Sequence, residues 1–183
     1  MEDCKAAVRW LRANAAKYRI NPERIGVVGF SAGGHLASML GVTGKSDGFD
    51  GSGGNTGQSS RVQAVVNFFG PTDFSTRDWD KDLEQEVIAP FLGGSFADRP
   101  DTYRKASAVN YVTKDAPPFL FFHGSEDKLV PVDQSKRLGE KLQNAGVPAE
   151  VIVLEGEGHG FTDANNQQAM RRMLDFLDAR LKQ

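Results

Sequence analysis

Apolar positions along the chain recur with two different periods, and the two alternate from end to end. From Glu2 to Tyr18 the spacing is three to four residues. Cys4, Ala7, Val8, Leu11 and Ala15 share one face, with Lys5, Arg9 and Arg12 outside it, which predicts an amphipathic helix that opens the chain. Ile25 to Phe30 is a short apolar run, β-branched at its start, of the kind that fits a buried parallel strand. Gly34 to Leu40 then begins a helix, and Val62 to Phe69 forms the next strand. Pro117-Pro118 introduces a third strand at Phe119 to Phe122. Val132 to Ala145 is a helix with Leu138, Leu142 and Ala145 along its apolar side, and Ala149 to Leu154 is the last strand. A closing helix over Asn166 to Leu181 draws its apolar residues from Met170, Met173, Leu174, Phe176 and Leu177. Strands alternating with helices predict the α/β class, with a mostly parallel sheet and helices on both faces.

Two stretches break the rhythm. Gly44 to Ser60 is dominated by glycine, serine, asparagine and aspartate and reads as a long, flexible surface loop. No Gly-Lys-Ser pattern follows a strand there, so a phosphate loop is not indicated. Asp47 and Asp50 lack the ligand spacing of a calcium loop. Phe74 to Ala116 carries no strand signal, only a helical stretch near Leu83 to Phe91 and the Gly93-Gly94 break. Residues 74–116 therefore read as a cap-like insertion that shapes a substrate entrance within one domain spanning 1–183. A net charge of −2 gives no electrostatic reason to expect nucleic acid or an anionic membrane as partner. The single cysteine, Cys4, excludes an intrachain disulfide and a cysteine-rich metal site. No stretch has the apolar length of a membrane span, and Met1-Glu2-Asp3-Cys4-Lys5 is not the start of a signal peptide.

The chemistry concentrates at the strand-to-helix junction Gly29-Phe30-Ser31-Ala32-Gly33, a Gly-x-Ser-x-Gly pattern. A serine presented on a strained turn is exposed for attack, and the sequence predicts that side chains at 29 and 33 would collide with neighbouring backbone. The amide of Ala32 would face an oxyanion forming beside the Ser31 hydroxyl. Asp127, in the loop after the third strand, and His159, in the loop after the fourth, complete a chain order of Ser, Asp, His. A serine hydroxyl needs a base, which His159 would supply, and Asp127 would hold the imidazole in the useful tautomer. Asp73, just past the second strand, is the rival acid, although its place in Gly70-Pro71-Thr72-Asp73 suits a turn or a cap. His123 ends an apolar strand and reads as a packed histidine; His35, one turn after Ser31, reads as packing that could touch the site. Glu126 would point away from it. No metal-ligand cluster and no dinucleotide fingerprint is present, so no cofactor is expected.

Gly29-Phe30-Ser31-Ala32-Gly33-Gly34-His35-Leu36-Ala37, Phe69-Gly70-Pro71-Thr72-Asp73-Phe74, His123 to Pro131 and Gly158-His159-Gly160-Phe161 together resemble the α/β-hydrolase superfamily. They look most like its bacterial esterase branch, near the hormone-sensitive-lipase and feruloyl/acetyl-xylan esterase families. Phe30 stands where the former usually carry Asp, which favours the latter. The resemblance implies Ser31 as nucleophile, Asp127 as acid and His159 as base. It also implies a fold lacking its first strands, hence a fragment of a longer esterase or a short member, with Ala32 as the one oxyanion donor in sight. The expected substrate is a small-molecule or polysaccharide-linked ester with a short acyl, acetyl or feruloyl group. A catalytically impaired binding module and a peptidase-like relative are the alternatives. The strand at 25–30 would be left as an open edge, through which the chain would self-associate or which would need its missing segment in trans. Compartment stays open between cytoplasmic and secreted.

Overall fold

The structure, a computed structural model, describes residues 1–76 and 78–182. Its centre is a four-stranded sheet of β1 (Gly26–Phe30), β2 (Ala64–Phe68), β3 (Phe119–Gly124) and β4 (Ala149–Leu154), in the order β1-β2-β3-β4. All three pairings are parallel, with Val27 opposite Val65, Val66 opposite Leu120 and Phe121 opposite Val151. Parallel neighbours need long crossovers, and the helices of the sequence pattern supply them.

α1 (Glu2–Ala13) and α2 (Ala15–Tyr18) form the opening helix, broken at Asn14, whose side chain folds back onto Trp10 O. α3 (Ala32–Val42) follows β1 directly. Between β2 and β3 lie α4 (Lys81–Leu83), a π-helical turn (Glu84–Ile88), α5 (Ala89–Leu92), and α6 (Pro100–Ala106). α7 (Asp133–Asn144) and α8 (Asp163–Leu181) are close to their expected spans. No described helix is long and apolar enough to cross a membrane.

Strand alternation sorts the core into two layers. Val65, Phe119 and Phe121 face α1, α3 and α7 through Val8, Leu40, Leu138 and Leu142. Val66, Phe68, Leu120 and Phe122 face α8 through Ala169, Met170, Met173 and Leu177. Leu174 does not join them: it is 56% exposed. A third cluster, of Phe74, Trp79, Ile88, Leu92, Tyr103 and Val130, is built mainly from the segment after β2.

One expectation is corrected here. Lys5, Arg9 and Arg12 are not on a solvated side of α1; all three are buried. The reason is the Gly44–Ser60 segment, a surface loop that runs across them. Its backbone makes few hydrogen bonds of its own, and the cations take up its carbonyls. Lys5 Nζ donates to Thr43 O at 3.0 Å and pairs with Asp50 at 3.0 Å. Arg9 Nη2 donates to Gly53 O at 2.6 Å. Arg12 donates to Ser59 O at 2.6 Å and Arg61 O at 2.7 Å. Asp50 is thus committed to Lys5, while Asp47 accepts the Gly44 amide at 2.6 Å.

Candidate active site

Ser31 ends β1 and starts α3 with φ 50° and ψ −120°, a conformation that costs an ordinary residue about 1–3 kcal/mol. The surrounding packing enforces it. A Cβ on Gly29 would strike the Gly33 carbonyl, one on Gly34 would lie 2.6 Å from Asn67 Oδ1, and one on Gly70 would lie 2.6 Å from Gly34. Gly33 itself is different from the expectation, since a Cβ there meets nothing within 4 Å. The glycines that close the elbow are 29, 34 and 70. Asn67 locks the arrangement: its Nδ2 donates to Ser38 Oγ at 2.8 Å and its Oδ1 accepts the Gly70 amide at 2.7 Å.

The structure brings Ser31, Asp127 and His159 together at the carboxyl edge of the sheet. His159 Nε2 lies 2.8 Å from Ser31 Oγ, and His159 Nδ1 lies 2.7 Å from Asp127 Oδ2. A carboxylate can only accept, so Nδ1 carries the proton and Nε2 is the lone pair facing the hydroxyl. Asp127 Oδ1 accepts the amides of Leu129 and Val130, both at 2.9 Å. Burial alone would raise the Asp127 pKa. Hydrogen bonds from His123, His159 and the Val130 amide, with the charge of His159 when its ring is protonated, overcome it and hold the carboxyl well below the usual range.

His123 is fully buried, as its strand position predicts, yet it also touches the site. Its Nε2 donates to Val130 O at 2.8 Å and stands 3.3 Å from Asp127 Oδ2, while Nδ1 accepts from Ser135 Oγ at 2.8 Å. Glu157 holds the histidine loop to α8. Its carboxylate accepts Thr162 N at 2.9 Å, Thr162 Oγ1 at 2.5 Å and Asn165 Nδ2 at 2.6 Å. Those bonds, Thr162 first, lower the Glu157 pKa. Phe69, with φ 43°, lays its ring 4.7 Å from that of His159.

Asp73 lies apart from this relay. Its Oδ1 accepts from Ser75 N at 3.0 Å and Ser75 Oγ at 2.6 Å, closing a turn. Buried Gln134 fixes that turn through Thr72 N at 2.9 Å and Asp73 N at 2.7 Å. Glu126 is exposed.

A pocket of about 290 Å³ opens above Ser31, Ala32 and His159. Pro71, Phe74, Trp79, Val87, Phe91 and Leu129 are among its walls. His35 lines it as well, buried, with Nε2 2.8 Å from Ala106 O. Among the described residues no group of three His, Cys, Asp or Glu is placed to hold a metal ion.

Asn67, Gln134 and Glu157 were not singled out from sequence. Asn67 had a readable signal, as the one amide-bearing residue deep in the run Ala-Val-Val-Asn-Phe. Gln134 and Glu157 had none, because their partners are distant backbone groups or the next helix.

The BD-FAE family model matches residues 1–142. Esterase LipC of Mycobacterium tuberculosis is 36% identical over 166 residues, which is 87% of this chain and 40% of that protein. The chain thus spans less than half of that curated relative. A truncated carbohydrate esterase from gut microbiota superposes with a TM-score of 0.84 at 33% identity, covering all of this chain and 68% of the other. Esterase 2 of Thermogutta terrifontis superposes in a propionate-bound form, with a TM-score of 0.75 at 27% identity over 97% of this chain and 62% of the other. The same esterase phosphonylated by sarin gives 0.81 at 26% identity, covering 97% of this chain and 64% of the other.

Proposed function

We propose that this chain, which belongs to the BD-FAE family of α/β-hydrolase esterases, cleaves carboxylic esters through an acyl-enzyme on Ser31. The observation that carries the reading is the continuous relay from Ser31 Oγ through His159 to Asp127 at the floor of an apolar pocket. Ser31 Oγ attacks the ester carbonyl while its proton passes to His159 Nε2. Asp127, already ionised, stabilises the imidazolium and keeps the ring oriented. The oxyanion of the tetrahedral intermediate lies toward the Ala32 amide at the start of α3, one preorganised donor of the kind that contributes about 3 kcal/mol. Collapse expels the alkoxide, which takes the proton from His159. Water then repeats the sequence on the acyl-serine and releases the acid.

The walls carry no charge, which suits an uncharged, short acyl chain, and the propionate-bound relative supports that size. The carbohydrate esterase relative supports an alcohol that is part of a saccharide. Turnover of p-nitrophenyl butyrate should fall by about 10⁴-fold or more in Ser31→Ala. An organophosphate such as paraoxon should add one adduct to Ser31, read by mass spectrometry. Activity that survives Ser31→Ala, or that chelators abolish while organophosphates leave it intact, would overturn the reading.

A further inference from the structure

Among the described residues that line the pocket, Ser31, His159 and His35 carry polar side chains, and Trp79 carries an indole N–H that is sealed from solvent. Ser31 and His159 engage each other, and His35 has a ring nitrogen to spare. His35 Nε2 sits 2.8 Å from Ala106 O. A carbonyl oxygen only accepts, so Nε2 carries the proton. Burial lowers the His35 pKa, the bond to Ala106 opposing it in part, and the ring is therefore neutral near pH 7. Nδ1 is then a lone-pair acceptor. It takes no hydrogen bond among the described residues. Nor is it one of the polar atoms sealed from solvent without a partner, which are Arg9 Nη1, Trp79 Nε1 and Arg137 Nη1. The ring stands at right angles to two pocket walls, 5.0 Å from Phe74 at 85° and 6.2 Å from Phe91 at 86°. Those neighbours orient it and offer no competing donor.

We infer that His35 Nδ1 is a specificity-determining acceptor that selects esters carrying a hydroxyl a few bonds from the reacting carbonyl. The inference rests on the ester-hydrolase reading of the same site. The shared pocket sets the place of the hydroxyl. The His35 amide donates to Ser31 O at 3.1 Å, so His35 stands at the end of the first hydrogen-bonded turn after the nucleophile, and both side chains line the same pocket. A hydroxyl at the β position of the acyl group or on the second carbon of the alcohol, as in a sugar, is near enough to the reacting carbonyl to share that pocket with it. An ester lacking the hydroxyl displaces water from Nδ1 and returns no donor, which costs about one hydrogen bond, or roughly tenfold in affinity.

Binding to Ser31→Ala protein tests this without turnover. The probes are ethyl butyrate, ethyl 3-hydroxybutyrate and 2-hydroxyethyl butyrate, titrated by NMR. One hydroxylated ester should bind about tenfold more tightly than ethyl butyrate, and which one does so identifies the side of the ester that carries the hydroxyl. Adding His35→Gln should erase the preference, because the glutamine amide can still reach Ala106 O but supplies no acceptor at the Nδ1 position. Adding His35→Asn should retain it, because the asparagine oxygen takes the place of Nδ1. Equal binding of all three esters, or a preference that survives His35→Gln, overturns the inference. Failure of the hydrolase reading would show separately, as turnover by the parent protein that does not depend on Ser31.

Discussion

In the proposed mechanism the relay depends on the charge of Asp127. Asn at this position would keep the shape but offer Nδ1 a competing donor, turning His159 to the tautomer that cannot accept from Ser31. Asp127→Asn should therefore lower kcat by about 10³–10⁴-fold with little change in KM, measured on p-nitrophenyl butyrate. Asp73→Asn, which alters only a turn with Ser75, should leave kcat within a few-fold. The depressed Asp127 pKa also has a stability consequence. The folded state binds this proton less readily than the unfolded chain, so the stabilisation is complete above the unfolded value of about 3.9 and is lost as pH falls toward the folded value. Acid unfolding followed by circular dichroism should lose part of its pH dependence below about pH 4 in Asp127→Asn. That Ser31, Asp127 and His159 meet at one edge of the sheet is legible in the sequence because each follows a strand and none has a packing period to explain it. For His123 the strand position shows only that it is buried, not that its Nε2 lies 3.3 Å from Asp127.

At the scale of elements, all four strands and the longer helices follow the apolar pattern to within a few residues, since that pattern is itself the record of which face is buried. The failure on α1 has the same origin. Periodicity assigns every cation to solvent, but Lys and Arg stems can be buried if their heads find acceptors. Here the acceptors are carbonyls of a glycine-rich segment, which no helical period reveals. Arg12→Met keeps the stem and removes both bonds to Ser59 and Arg61. It should destabilise the protein by about 2–3 kcal/mol in urea unfolding and speed amide exchange across residues 50–61. Gly33 shows the opposite limit. The Gly-x-Ser-x-Gly pattern locates the elbow and the close approach at Gly29, but the other close approaches fall on Gly34 and Gly70, which only the packing of β2 against α3 exposes.

Across the whole molecule the two margins of the sheet are unlike. At the β4 margin Glu150 pairs with Arg172 of α8 at 2.8 Å, placing charge along the edge. At the β1 margin the strand Gly-Val-Val-Gly-Phe carries neither charge nor proline, and α8 reaches it at Gly26 through Leu177 and Leu181. Val28 and Phe30, on the same face beyond that cover, are 37% and 45% exposed. Phe30 leans on Phe68 with ring centroids 4.4 Å apart, so half its surface is tied to the core and half faces water. Every other strand neighbour in the sheet is parallel and hydrogen-bonded, and the outer side of β1 has no described strand beside it. An apolar edge without a gatekeeper is a template for a further strand, and at high concentration the strand at hand is β1 of a second copy. We therefore expect this chain to self-associate in sedimentation velocity as its concentration rises through the micromolar range. Val28→Lys, which places a charge on the half-exposed position while leaving the β1–β2 backbone pairing intact, should shift the sample toward monomer at the same concentration. A parent protein that stays monomeric throughout that range, or association unchanged by Val28→Lys, would show that the β1 margin is not the contact.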